Sequence, residues 1–115
     1  NEHITSMKNY LKTERNFLNP EISLVFIASE LELSAGHLSK VINTELGMSF
    51  KDYLNDLRIE EAKRYLNDPK FVNYTLVAIG LEAGFKSKSA FNASFKKITG
   101  LIPSQYRKQQ AKSSY

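Results

Sequence analysis

Apolar residues recur at helical spacing along almost the whole chain, and no stretch alternates as a half-buried strand would. The first predicted helix runs from Ser6 to Asn19, with an apolar stripe of Met7, Tyr10, Leu11 and Phe17 or Leu18. Later stripes predict helices over 24–31, 35–47, 50–66, 75–83 and 88–99, and a last one from Pro103 onward. The pattern therefore predicts an all-α fold of about seven helices.

Residues typical of helix ends stand where the stripes begin and stop. Serines precede four of the predicted helices and are expected to cap them, at Ser23, Ser34, Ser49 and Ser87. Gly47 and Gly100 follow two of the stripes and predict helix stops. The chain ends in a polar tail over residues 109–115, whose last five residues are expected to be frayed.

The chain nearly repeats itself at an offset of 52 residues. Leu24, Val25, Ile27 and Glu30 are followed at that offset by Leu76, Val77, Ile79 and Glu82. One extra residue then enters the turn, and the offset becomes 53: Ser34, Leu38, Ile42, Gly47 and Tyr53 match Ser87, Phe91, Phe95, Gly100 and Tyr106. Each copy reads as helix, short turn, helix.

A capped second helix with two large apolar residues at i and i+4 is typical of a helix-turn-helix. The first helix of such a unit braces the second, whose outer face enters the major groove of DNA. We expect a first unit over 5–49, a linker helix over 50–67 and a second unit over 72–108. The competing interpretation is a plain helical bundle with an accidental repeat.

Charge is distributed unevenly and favours a polyanionic partner. Residues 1–82 carry 9 Lys/Arg and all 12 Asp/Glu, whereas residues 83–115 carry 7 Lys/Arg and no acid. The net charges are −3 and +7, which sum to the +4 of the whole chain. A basic C-terminal third points to nucleic acid or to an anionic membrane surface, unless it is only a solvated tail.

Several other classes of function find little support. The chain has no cysteine, which removes disulfides and thiolate zinc sites and fits a reducing, cytoplasmic compartment. His3 and His37 are the only histidines, and no Cys or second nearby His completes a metal site, so no metal or other cofactor is expected. Ser34 and His37 could be imagined as a nucleophile and base, but nothing orients the histidine, so no enzyme activity is expected. No run of roughly 18 apolar residues or signal peptide is visible.

The stretch GFKSKSAFNASFKKITGLIPSQYRK, residues 84–108, resembles the signature of the arabinose-operon regulator (AraC/XylS) family. Its elements are Gly-Phe, a Ser-rich turn, Phe at i and i+4, Lys-Lys, Gly, Pro and Tyr-Arg. Residues 38–66 resemble the end of the first unit and the linker helix of that family. The resemblance implies a bacterial transcription regulator with two helix-turn-helix units that bind double-stranded operator or promoter DNA.

The resemblance also implies parts outside these residues. Since the chain starts at Asn1 and not at Met, we expect a piece of a longer protein that also has a sensing or dimerisation region. Contact with RNA polymerase is implied for activators, and no membrane contact is expected of this domain.

Carried over residue by residue, the resemblance implies a DNA-binding set on each second helix. In the first unit the set is Ser34, Gly36, His37, Ser39, Lys40 and Asn43. In the second unit it is Ser87, Lys88, Ser89, Asn92, Ala93, Lys96 and Lys97. The outward face of each helix leads to almost the same residues without the family.

The chain departs from the family at two of these positions. Many members have a large aromatic residue or Arg near Gly36 and a long polar residue or Arg near Ala93. Neither residue can hydrogen-bond a base through its side chain, although Ala93 could meet a thymine methyl. Two rivals stay open: a helical module that docks an acidic protein through the basic face, and an amphipathic element at a membrane surface.

Overall fold

The fold is all-α, as the hydrophobic pattern predicts. The computed structural model describes residues 1–113 of the chain, so residues 114 and 115 of the predicted tail lie outside the described part. Seven α-helices lie in the described residues: α1 (Glu2–Lys8), α2 (Leu24–Glu30), α3 (Ala35–Leu46), α4 (Phe50–Leu66), α5 (Leu76–Glu82), α6 (Lys88–Thr99) and α7 (Pro103–Ser113). No helix within residues 1–113 is both long and apolar enough to cross a membrane.

The N-terminal segment differs from the single predicted helix over 6–19. Helix α1 begins earlier, because the side chain of Asn1 accepts a 2.8 Å hydrogen bond from the His3 N–H and caps it. A π-helical turn over Asn9–Thr13 follows, and Arg15 then adopts a left-handed backbone with φ of 61°. That residue ends the helix, and a short 3₁₀ turn over Asn16–Leu18 replaces its last part.

The chain divides into two compact units, Asn1–Leu57 and Arg58–Tyr115. The first unit has a core centred on α1, α2 and α3, and the first half of α4 adds Leu54 to it. Its fully buried side chains include Met7, Leu11, Ile27, Leu38 and Ile42. In the apolar stripe predicted for the N-terminal segment, Met7, Leu11 and Phe17 are buried and Tyr10 and Leu18 are half-buried, although the backbone of this segment is irregular.

The core of the second unit is rich in aromatic residues. The second half of α4 contributes Ile59 and Ala62, and α6 contributes Phe91 and Phe95, all fully buried. A ring chain runs through this core: the Phe91 and Phe95 rings are 5.7 Å apart, and the Tyr106 ring of α7 lies 5.3 Å from Phe95. Edge-on rings at these separations add about 0.5–1.5 kcal/mol per pair beyond area burial.

Candidate nucleic-acid interface

The turn between the two helices has the same backbone hydrogen bonds in both units. In the first unit the Leu33 N–H donates to the Ala28 carbonyl at 2.9 Å. In the second unit the Phe85 N–H donates to the Gly80 carbonyl at 3.0 Å. Both pairs are separated by five residues and match at the offset of 52, so the repeat seen in the sequence is a repeat of backbone geometry.

The residue before each of these N–H groups has a positive φ. Gly84 has φ of 106° and Glu32, its counterpart in the first unit, has φ of 60°. Glycine adopts this region freely, whereas a residue with a Cβ is strained there by about 1–2 kcal/mol. The first unit therefore holds a strained glutamate in order to make the turn that glycine makes in the second.

Matching caps fix both ends of α3 and α6. Ser34 and Ser87 each accept a 3.1 Å hydrogen bond from the backbone N–H three residues further on. Gly47 and Gly100 end the two helices in the left-handed conformation, with φ of 67° and 83°. Each helix has 12 residues, so the two outer faces have the same length and the same boundaries.

The inner faces of α3 and α6 are anchored by paired apolar residues. Leu38 and Ile42 of α3 and Phe91 and Phe95 of α6 are all 0% exposed. These positions fix the rotation of each helix about its axis, because shifting a helix by one residue would turn its stripe by about 100°. The opposite face of each helix is thereby directed away from its core.

On α3 the outward face carries most of the predicted DNA-binding residues of the first unit. Gly36, His37, Lys40 and Asn43 are exposed, and Ser39 is half-buried. The side-chain NH₂ of Asn43 donates to the Ser39 carbonyl at 2.9 Å, which fixes the amide against the helix. A Cβ built on Gly36 would meet nothing within 4 Å, so packing does not require glycine there.

The outward face of α6 carries small side chains in its middle and basic side chains at both ends. Lys88 and Ser89 stand exposed in its first turn, Ala93 lies exposed in the middle, and Lys96 and Lys97 are exposed in the last turn. Asn92 is half-buried in a cleft of about 230 Å³. The cleft is lined by Leu76, Val77, Lys88, Asn92, Ile102, Pro103 and Ser104.

Gly80 of α5 allows the two helices of the second unit to approach closely. A Cβ built on Gly80 would lie 2.6 Å from two ring atoms of Phe91 and 2.9 Å from its Cβ. Such distances are shorter than real carbon contacts allow. Gly80 therefore permits α5 to pack closely against α6. At the matching positions of the first unit stand Ala28 and Leu38, so alanine replaces the glycine and the smaller leucine replaces the phenylalanine.

Arg58 of α4 packs against the turn of the second unit. Its guanidinium carbon lies 5.9 Å from the centre of the Phe85 ring, and the residue is 7% exposed. Burial lowers the pKa of Arg58 to about 10, so the side chain is still cationic at neutral pH. The cation and the ring together hold the turn that leads into α6.

Two neighbourhoods were not predicted from the sequence. The rings of His3 and His37 lie 6.2 Å apart at an angle of 82°, although the residues are far apart in the chain. Residues 1–113 contain no group of three or more His, Cys, Asp or Glu side chains that could hold a metal ion. The cleft beside Asn92 was also not predicted, because Ile102 and Ser104 lie at the beginning of α7 and not on α6.

Known proteins share this sequence and this fold. Residues 27–109 match the family described as a helix-turn-helix domain. The chain is 37% identical over 87 residues to an HTH-type transcriptional regulator of Staphylococcus aureus (strain MSSA476), covering 76% of this chain and 11% of that protein. It is 30% identical over 91 residues to the melibiose operon regulatory protein of Escherichia coli (strain K12), covering 77% of this chain and 29% of that protein.

Solved structures with the same fold include domains of two response regulators. The C-terminal domain of AraT from Geobacillus stearothermophilus superposes with a TM-score of 0.84 at 28% identity, covering 95% of this chain and 86% of that one. The C-terminal domain of yesN from Fusobacterium nucleatum gives 0.80 at 30% identity, covering 93% and 99%. The chain therefore belongs to the AraC-type helix-turn-helix family of DNA-binding transcription regulators.

Proposed function

We propose that α3 and α6 enter two successive major grooves and together read one operator sequence. The observation that supports this most directly is the matched presentation of the two helices. Each is capped by serine, stopped by glycine and anchored by two fully buried residues, and each exposes small, polar and basic side chains. A major groove is about 12 Å wide and admits one such helix.

In the first unit, Lys40 is the proposed base reader. It is exposed near the middle of α3, where a groove would be deepest, and an ammonium group suits the O6 and N7 acceptors of guanine. Ser39 and Asn43 flank it, and His37 is proposed to contact a phosphate. The open space around Gly36 lets the helix backbone approach the base edges closely.

In the second unit, base contacts and phosphate contacts are proposed to lie on different parts of α6. Lys88, Ser89 and Asn92 can donate to base edges, and Ala93 can touch a thymine methyl. Lys96 and Lys97 lie in the last turn of α6 and are proposed to contact phosphates. At the helix starts, Ser34 and Ser87 are expected to place backbone N–H groups near phosphates.

The wider role is that of a bacterial regulator acting on operator or promoter DNA. The chain spans 11% of the Staphylococcus regulator and 29% of the melibiose regulator. A sensing or dimerisation region outside these residues, contact with RNA polymerase and a location in the cytoplasm, where promoter DNA lies, all belong to this proposal. The family and the fold are those of transcription regulators, and no reaction is proposed.

Selection from a random pool of double-stranded DNA tests the proposal directly. Two enriched motifs about one helical turn apart, roughly 34 Å, are the expected result. Replacing Lys40 or Asn92 by Ala should relax discrimination at one base pair by about 1–3 kcal/mol. Replacing Lys97 by Ala should weaken binding to every sequence alike.

The same experiment separates the rivals. A pool in which nothing is enriched, with binding that vanishes at moderate salt, would contradict the proposal and favour a module that docks acidic proteins. Sequence-selective loss of binding in Lys97→Ala would contradict the proposed phosphate role. Co-sedimentation with anionic liposomes tests the membrane rival, which the burial of Phe91 and Phe95 in the core disfavours.

A further inference from the structure

The two units carry opposite net charges. The first unit, Asn1–Leu57, has 5 Lys/Arg against 8 Asp/Glu, a net charge of −3. The second unit, Arg58–Tyr115, has 11 Lys/Arg against 4 Asp/Glu, a net charge of +7. Since DNA is a uniform polyanion, it attracts the second unit and, at low salt, repels the first as a whole.

The recognition helices show the same inequality at matched positions. On the outward face of α3, Lys40 is the one lysine or arginine, whereas α6 exposes Lys88, Lys96 and Lys97 and carries no acid. At the offset of 53, Asn43 of the first unit stands where the second has Lys96. Contacts to phosphates are therefore far more available to the second unit than to the first.

Binding to DNA of arbitrary sequence is supplied almost wholly by phosphate contacts, whereas a target sequence adds contacts to bases. From these charges, and resting on the proposed function, we infer that the second unit alone supplies the phosphate contacts on non-target DNA. The first unit brings Lys40 into a groove only where α3 finds its bases. The negative charge of the first unit thereby makes its docking depend on base contacts, because only they compensate for the repulsion.

Salt titrations of two matched variants test this inference. Lys40→Gln and Lys96→Gln each remove one exposed lysine charge from a recognition helix and keep a long polar side chain. Affinity is measured by fluorescence anisotropy between about 50 and 200 mM salt, on a selected target duplex and on a scrambled duplex of equal length and composition. The slope of log K against log salt concentration is negative, and each lost lysine–phosphate contact lowers its magnitude by about 0.9.

The expected results differ between the variants. Lys96→Gln lowers the slope by about 0.9 on both duplexes. Lys40→Gln changes the slope by less than this on the target, because the proposed contact of Lys40 is to a base and not to a phosphate, and it leaves the slope unchanged on the scrambled duplex. Target affinity falls about tenfold or more in Lys40→Gln, while scrambled-duplex affinity stays within about twofold. Lys12→Gln, which removes an exposed charge of the first unit outside α3, is the control and changes neither slope.

An equal loss of slope on both duplexes in Lys40→Gln would overturn the inference, because Lys40 would then contact phosphates on any DNA. An unchanged scrambled-duplex slope in Lys96→Gln would overturn it as well. Failure of the proposed function looks different: the unmodified chain would then bind target and scrambled duplexes with the same affinity. Circular dichroism of each variant shows whether the helices are retained.

Discussion

The contact between Gly80 and Phe91 gives a sharp prediction for the stability of the second unit. Replacing Gly80 by Ala places a methyl group 2.6 Å from the Phe91 ring. The ring has little freedom to move, because Phe91 is fully buried and lies 5.3 Å from the Phe85 ring and 5.7 Å from the Phe95 ring. The clash involves the base of the Phe91 side chain and not a flexible end.

Two opposing effects set the magnitude. Overpacking a closed core costs about 1–3 kcal/mol. Alanine is favoured over glycine inside a helix by about 0.8–1.0 kcal/mol, which offsets part of that cost. We therefore expect Gly80→Ala to lower the free energy of unfolding by about 1 kcal/mol, even though it improves the intrinsic helix propensity of α5.

Urea denaturation followed by circular dichroism measures the change. Because the two units could unfold separately, hydrogen exchange of α6 amides assigns the loss to the second unit. Phe91→Leu supplies the matched second mutation, since it restores the pairing that Ala28 and Leu38 have in the first unit. The double variant should be more stable than the two single losses predict, with a coupling of about 1–2 kcal/mol.

Two results would refute this reasoning. If Gly80→Ala stabilised the second unit by about 1 kcal/mol, helix propensity alone would decide and the clash would be relieved at no cost. If the losses of Gly80→Ala and Phe91→Leu simply added, the two side chains would not be in the inferred contact. Ala28→Gly is the control: it should cost about 1 kcal/mol and show no coupling to Phe91.

Three further predictions concern the turns and the helix ends. Gly84→Ala should lower the free energy of unfolding by about 1–2 kcal/mol because Gly84 has a positive φ. Glu32→Gly should change it by less than about 0.5 kcal/mol, since the relieved strain offsets the added entropy of the unfolded state. Urea denaturation midpoints check both predictions. Ser87→Ala should cost about 1 kcal/mol by removing the cap of α6, and an unchanged thermal midpoint would contradict it. Gly36→Ala should stabilise α3 by about 1 kcal/mol while weakening target binding, and unweakened binding would argue against close backbone approach.

Most of the fold could be predicted because it depends on local interactions between residues that are close together in the sequence. Serine caps, glycine stops and apolar pairs at i and i+4 each act within one helix, so Ser34, Ser87, Gly47 and Gly100 have the predicted roles. The repeat added long-range information, because it showed that two separate segments must form the same turn. The agreement of caps, core pairs and stops is what made the helix-turn-helix prediction specific.

The parts that could not be predicted depend on backbone choices without a sequence signal. Arg15 is a good helix former, yet it adopts a left-handed conformation that ends the first helical segment. Tertiary packing brings His3 beside His37 and Ser104 beside Asn92, and no periodicity reports such contacts. The outward direction of the proposed DNA-binding residues was predictable, whereas their neighbours from other helices were not.

The equal boundaries of α3 and α6 mean that the sequence of one helix could be exchanged for that of the other. Each helix begins after a serine cap, has 12 residues and ends at a left-handed glycine, so an exchanged helix would join the same backbone conformation at both ends. One partner has to travel with it. Moving the α6 sequence into the first unit sets Phe91 against Ala28, so Ala28→Gly must accompany the graft, whereas the reverse graft leaves room beside Gly80 for a methyl group. Exchanging the two helices would thus change the order of the two half-sites that the protein recognises, provided that each small residue moves with its large partner.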